Sequence, residues 1–428
     1  WKGAPVVSVA VGMSTAAVTK GRLYNFLPMG EEADSPFLGY LDAPFFADID
    51  RRDADLDLPL NETLMEAAAE TCAAAALSIV QREMAIPAQA VFDMFAWTGE
   101  QAGKLNTALK EAGSSLREAT VIPAIAESGQ RAWSSLSEIR IWPEGAFSIL
   151  KDREVAKYVG AQLVSKDLDS KRIERLKAVA SRSLYRPLTP SGAQLAEWSE
   201  AFARSLLERK AAPRTWSRFY DDLPRVFDAV DASLEALDEK AILYDRSGKL
   251  RPAGGHDDEK RTGVFVRGDV SKGKRRKAGV PLPPATLARR YRFLDERISL
   301  RRETLEAYTA ANLVREYDPI EALAGLKSAL GQKANDKRRQ EALAWAFQVW
   351  RAGSGARLEE ELQKAGLYVP TISGWQPAGE CAFSSSWTSV GRILENYLIE
   401  AADNSPDCRR VRDLLLVGQQ NWPVSVQD

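Results

Sequence analysis

Residues 20–76 read KGRLYNFLPMGEEADSPFLGYLDAPFFADIDRRDADLDLPLNETLMEAAAETCAAAA, and this stretch decides the fold. Apolar Leu23, Phe26 and Leu27 flank polar Asn25, the pattern of a strand that Pro28 stops, because proline has no N–H to offer a ladder. Ser35-Pro36, Gly39 and Ala43-Pro44 break the aromatic piece that follows. Arg51 and Arg52 then stand among Asp48, Asp50, Asp53, Asp55 and Asp57. Asn61 and Glu62 read as a helix start, with a cap-type side chain just ahead of Leu64, Met65 and Ala68. Residues 61–84 are alanine-rich and free of glycine and proline, which predicts one long helix ended by Pro87.

Upstream, Pro5–Val11 (PVVSVAV) has the β-branched run of a strand, and Gly21–Leu27 reads as its neighbour. With the aromatic segment Phe37–Ile49 they predict a small sheet. Packed against that sheet, the long helix gives an α+β unit over residues 1–95.

The chain of 428 residues exceeds what one core supports, so two to four domains are expected. Its 45% hydrophobic and 27% charged residues are those of a folded protein. A net charge of −1 excludes global steering of nucleic acid but leaves room for a local basic patch. Three cysteines, Cys72, Cys381 and Cys408, are odd in number and lack metal-ligand spacing, which points to a reducing, cytoplasmic setting. No apolar run is long enough for a bilayer, the longest being 73–80 and 5–11, so no membrane partner is expected. The chain opens on Trp1 without a secretory signal, as an internal piece of a longer protein would.

Beyond the first unit the pattern changes by segments. Residues 96–210 are mostly helical, with apolar spacing of three and four over Val155–Val164 and Ile173–Ser183, and a helix start at Leu188-Thr189-Pro190-Ser191. Residues 211–300 carry the aromatic cluster Trp216, Phe219 and Tyr220, then a strand at Ala241–Tyr244, a turn at Asp245–Gly248 and a partner strand at Val264–Val266. Helix is expected again over 285–330 and 336–350, inside a mostly helical last part, 301–428. Residues 121–133 (VIPAIAESGQRAW) and 368–375 (YVPTISGW) share an apolar-apolar-Pro-small-Ile core, a hint of an internal repeat.

Much chemistry lacks material. The one histidine, His256, stands in a Gly/Asp loop, so neither a triad nor a histidine metal site can be assembled. No phosphate-cradling G-x-x-x-x-G-K-[ST] or post-strand G-x-G-x-x-G occurs. The acidic string 48–57 lacks EF-hand spacing and reads as a solvated, arginine-paired loop, with no metal assigned. A basic loop, Lys272, Lys274, Arg275, Arg276 and Lys277, is followed by Arg289, Arg290 and Arg292 on an expected helix. These could contact phosphates, or be a solvated loop; no aromatic interleaves residues 271–277, so base stacking is not indicated there.

Gly21-Arg22-Leu23-Tyr24-Asn25-Phe26-Leu27-Pro28, Pro36-Phe37, Asp50-Arg51-Arg52 and Leu58-Pro59-Leu60-Asn61 resemble the region just after the nucleotide-binding fold in sacsin and its bacterial relatives. Those are ATPases of the GHKL superfamily, akin to the 90-kDa heat-shock chaperone. The later chain resembles sacsin-type repeats at Trp216–Leu223, at Ile242–Ala253 (ILYDRSGKLRPA) with Val264-Phe265, and from Val369-Pro370 to Trp387. The family's magnesium-holding Glu/Asn helix and its Asp-x-Gly-x-Gly loop have no counterpart, so the likeness is to the part that follows the ATP site. Glu62-Thr63 stands where the chaperone has Ser-Arg-Glu.

The resemblance implies a coupling and scaffold segment, itself without a catalytic residue. ATP and magnesium would be held by an N-terminal ATP-binding domain of the same protein, with none bound by this chain alone. Residues 1–95 would be the transducer and the helical, hairpin-bearing remainder its scaffold. Arg51 or Arg52, with Lys20 and Arg22 as second candidates, would sense the γ-phosphate. Chaperone-like remodelling or bacterial anti-phage defence is the setting implied, with protein partners or a homo-oligomer. The alternative is a non-catalytic scaffold binding nucleic acid or protein through residues 271–292.

Overall fold

In the computed structural model the N-terminal sheet has the strand order β1-β4-β2-β3: β1 (Ser8–Val11), β2 (Arg22–Asn25), β3 (Leu27–Pro28) and β4 (Gly39–Asp42). The structure describes residues 5–13, 20–47, 52–125, 132–184, 186–254, 263–267, 281–283, 291–330, 334–352, 356–371 and 374–378. β4 separates the two strands expected to be neighbours, pairing antiparallel with β1 and parallel with β2. Pro28 does not stop β2. The chain reverses at Phe26, whose φ of +62° is costly for a bulky residue, and Leu27–Pro28 pairs back on Tyr24–Asn25.

α1 (Pro59–Gln81) opens with Pro59 in its first turn and Leu58 as N-cap, without a side-chain cap bond. Asn61 therefore lies inside the helix, not ahead of it. Proline at that position lacks only an N–H that would have no intrahelical partner. The helix stops before Pro87: Arg82 caps it, Glu83 takes a φ of +49°, and Pro87 instead precedes α2 (Ala88–Phe95). Among the described residues α1 alone is long and apolar enough to cross a membrane by length and composition, contrary to the sequence expectation. In this fold Leu64, Met65, Ala68, Cys72, Ala76 and Ile79 are buried in the core, and α1 packs on α2 and α3 (Ala102–Glu111).

The chain forms two compact units, Trp1–Arg209 with Asp222–Ala236, and Lys210–Asp221 with Leu237–Asp428. The first unit continues through a hairpin of β5 (Ile122–Ala124) and β6 (Ala132–Ser134), then α4 (Asp152–Val159), α5 (Ser170–Leu184) and α6 (Gly192–Glu208). Ser191 starts α6 through a reciprocal pair of bonds with Gln194, which satisfies otherwise orphaned amides. α7 (Pro213–Asp228) contributes residues to both units. From its later half, fully buried Asp222 accepts the amides of Ser148, Ile149 and Leu150 at 2.9, 2.6 and 3.0 Å, fixing the approach to α4.

In the second unit Trp216, Phe219 and Tyr220 of α7 are buried. Trp216 stacks on Tyr244 with centroids 4.9 Å apart, and the Tyr220 hydroxyl donates to the Ile242 carbonyl and accepts the Tyr244 amide. That anchors β7 (Ala241–Tyr244), which pairs with β8 (Leu250–Pro252). β9 (Val264–Arg267) is not its partner, as the sequence suggested. β9 is instead the middle strand of a parallel sheet with β10 (Arg292–Phe293) and β11 (Arg315–Tyr317). The long helix expected over 285–330 is accordingly broken into β10, α8 (Arg302–Ala310), β11 and α9 (Pro319–Ala329). α10 (Asp336–Ala352) and α11 (Ala356–Lys364) complete the second core with α9. The whole is a mixed α+β fold, with small sheets and hairpins set among helices.

The last described strands, β12 (Tyr368–Thr371) and β13 (Gly374–Pro377), form a hairpin that sharpens the suspected repeat. Pro370 faces Trp375 there, and Pro123 faces Trp133 in the β5–β6 hairpin. The shared Pro-small-Ile wording thus encodes one local device in each unit: proline on a two-stranded ribbon, where its missing N–H costs no interior ladder bond.

Candidate functional site

Two glycines bring the N-terminal cations together. A Cβ on Gly21 would lie 2.0 Å from the Phe37 carbonyl oxygen, so only glycine lets the chain enter β2 against that loop. A Cβ on Gly30 would lie 2.5 Å from the Arg52 carbonyl oxygen, so the turn at 30–34 rests on the backbone of Arg52. Lys20 Nζ reaches Asp34 at 2.7 Å and donates to the Glu31 carbonyl, also 2.5 Å away, while Arg22 stands 4.0 Å from the Glu31 carboxylate. The side chains of Lys20 and Arg22 and the backbone of Arg52 therefore meet at one turn. Arg51 lies outside the described residues, as do Asp48 and Asp50.

These ion pairs are loose. Lys20 and Asp34 are 46% and 55% exposed, and solvent at that exposure limits such a pair to about 0–1 kcal/mol. A multiply charged phosphate can compete with carboxylates held that weakly. Asp53 and Asp55 turn back on their own backbone, accepting the amides of Ala54 and Asp57, the behaviour of a turn. Among the described residues no group of three or more His, Cys, Asp and Glu could hold a metal.

The scaffold under the turn is rigid. Asn61 is wholly buried; its amide nitrogen donates to the Phe46 and Asp55 carbonyls and its oxygen accepts the Phe46 amide, each at 2.7 Å. One side chain thus ties the first turn of α1 to both ends of the stretch that carries the double arginine. Sequence reasoning took Asn61 for a cap, because an Asn side chain serves a helix amide and a distant loop equally well. Asn25 adds a bond to the Phe45 carbonyl.

A second tether was not legible in the sequence at all. Arg172 of α5 forms a two-bond fork on Asp93 of α2, at 2.8 and 2.6 Å, and a third bond to Asp169 at 2.6 Å. The pair is almost fully buried. Burial pushes the Asp93 carboxyl up, while the hydrogen bonds that Arg172 donates to Asp93 hold its guanidinium well charged. Arg175, one turn on, donates to the Pro36 and Ala96 carbonyls, linking the loop before β4 to α2 and α5. Cys72 in the core of α1 is inert: burial pushes its thiol up to about 12.

The alternative binding residues Lys272, Lys274, Arg275, Arg276, Lys277, Arg289 and Arg290 lie outside the described residues, together with His256, Cys381 and Cys408. Arg292 is described, and it stands on β10 rather than on the helix expected there.

Comparison of the chain with protein-family models, with curated proteins and with solved structures gives no match.

Proposed function

We propose that the turn gathering Lys20, Arg22 and Arg52 reads the γ-phosphate of ATP held by a preceding domain of the same protein, as the resemblance to sacsin-like GHKL ATPases implies. The observation that carries the reading is the meeting of the Lys20 and Arg22 side chains with the Arg52 backbone around Gly30–Asp34, in a loop region tied to α1 through Asn61. Guanidinium and ammonium groups held on a rigid support stabilise charge that develops on a transferring phosphoryl group without reorganising at that moment. Nucleotide and magnesium belong to the other domain, and this chain contributes charge and transmission. Any shift of the turn on phosphate contact is passed to α1, because Asn61 leaves the loop and helix little independent freedom. The remainder of the chain is the scaffold that receives the motion, in remodelling or defence.

The test is ATP turnover by the full-length protein. Arg52→Ala should lower it by tenfold or more, since removing a transition-state donor costs on the order of 10²–10³ in rate. Lys20→Ala should have a smaller effect. Unchanged turnover in Arg51→Ala and Arg52→Ala, with circular dichroism intact, sinks the assignment.

A further inference from the structure

The second unit holds a cleft of about 530 Å³ between the turn after β7 and strand β10. Among the described residues three arginines line it, Arg246, Arg251 and Arg292, against one acid, Asp245. That acid is already occupied. Asp245 is buried and accepts the Ser247 amide and hydroxyl at 2.8 and 2.6 Å, the Lys249 amide at 3.0 Å and Arg251 Nε at 2.5 Å. Arg251 is thus aligned by Asp245, and Arg246 and Arg292 bring further positive charge to the cleft. Arg246 is exposed and pairs with Glu296 at 3.5 Å, an acid it shares with Arg267. Arg292, half-buried on β10, makes no side-chain hydrogen bond or ion pair among the described residues.

The cleft is built, not a chance gap between loops. The Arg246 amide donates to the Phe293 carbonyl at 2.9 Å, and Asp245 bridges to Leu294, so turn and strand are locked in register. Its wall is aromatic and apolar. Tyr291 is half-buried and is backed by Phe265 and Tyr317, with centroids at 5.0 and 5.6 Å. Leu282 and Pro283 complete that wall. A cation pair beside a supported ring selects an anion with a flat hydrophobic body: planar guanidiniums fork onto phosphate, and the ring offers a face for a base. The volume falls within the roughly 300–1,000 Å³ of small-ligand sites.

We infer that this cleft binds a nucleoside phosphate, with the phosphate between Arg246 and Arg292 and the base against Tyr291. The ligand is either a free mononucleotide or one residue of a single strand, and the experiment separates the two. Adenosine monophosphate and an oligothymidylate of about eight nucleotides are titrated into the full chain by calorimetry, with inorganic phosphate as a third probe. Binding is expected for at least one of the first two, with at least a tenfold loss in Arg292→Glu and in Arg246→Glu. Arg246 lies on an exposed turn, so that variant folds even if the strand variant does not. Tyr291→Leu should weaken the nucleoside phosphates and spare inorganic phosphate. Tighter binding of the monophosphate assigns a free nucleotide; tighter binding of the oligonucleotide, with a steep fall in affinity as salt rises, assigns a strand. No binding of either at millimolar concentration, or full binding by Arg246→Glu, overturns the inference.

Discussion

Arg172 in the first unit and Arg292 in the second are the same residue type in opposite surroundings. Arg172 is buried with every side-chain bond directed at Asp93 and Asp169, while Arg292 lines a cleft and has no paired acid among the described residues. The difference teaches how to sort arginines by purpose. A guanidinium whose fork is filled by carboxylates of its own fold holds helices together; one left facing space beside aromatic rings is available to a ligand. Lys20 and Arg22 lie between these extremes, paired with acids that water already loosens.

The largest effect should follow from breaking the locked arginine. Arg172→Met leaves Asp93 buried without its partner and should lower the stability of the first unit by about 3–5 kcal/mol, read from urea denaturation. Combining it with Asp93→Leu should restore much of the loss, because the isolated charge, not the missing bond, dominates the cost. A single variant as stable as the parent would erase the distinction drawn here.

A smaller effect separates the acids of the second unit. Burial alone would push the Asp245 carboxyl up, but the Ser247 hydroxyl, the Lys249 amide and Arg251 outweigh it and hold the group below the usual carboxylate range. Arg297 does the same for Asp295, by hydrogen bond first and charge second. Depressed values mean stability that is complete above the ordinary Asp value of about 3.9 and lost as pH falls through the lower folded values. The urea midpoint of the second unit should therefore drop below that pH, and Asp245→Asn with Asp295→Asn should flatten the drop.

The smallest effect is the sharpest check on Arg292. Arg292→Met should change stability by no more than about 0.5 kcal/mol, as expected where no partner is lost. A loss on the scale of Arg172→Met would mark it as another structural arginine.

The composition of residues 61–84 marked a long helix, which forms over Pro59–Gln81, and Leu188-Thr189-Pro190-Ser191 marked the start of α6, because propensity and capping act within a few residues. Trp216, Phe219 and Tyr220 were legible as a cluster for the same reason, and their burial follows from their size. Partner choice was not legible. Val264–Arg267 looked like the mate of Ala241–Tyr244, yet it pairs with strands 25 and more residues further on, since a strand's apolar pattern does not say which edge it will meet. Asn61 could have capped a helix or tied down a loop, and only the packed loop around Phe46 decided between them.

The candidate sites divide in the same way. The sequence by itself singled out Arg51 and Arg52, with Lys20 and Arg22 after them, as cations near a sheet, through local composition and a resemblance. The meeting of Lys20, Arg22 and the Arg52 backbone at Gly30–Asp34 came from tertiary structure, as did the buried fork of Arg172. The cleft of the second unit was invisible in the chain. Its arginines come from a β-turn and from a strand some forty residues later, and charge, aromatic wall and enclosure exist only once those segments are in register. Sequence carries what is short-range: helix formers, caps, turns and the sign of charge. Distances between segments are set by packing, and packing decides which of those charges answer one another and which are left for something else.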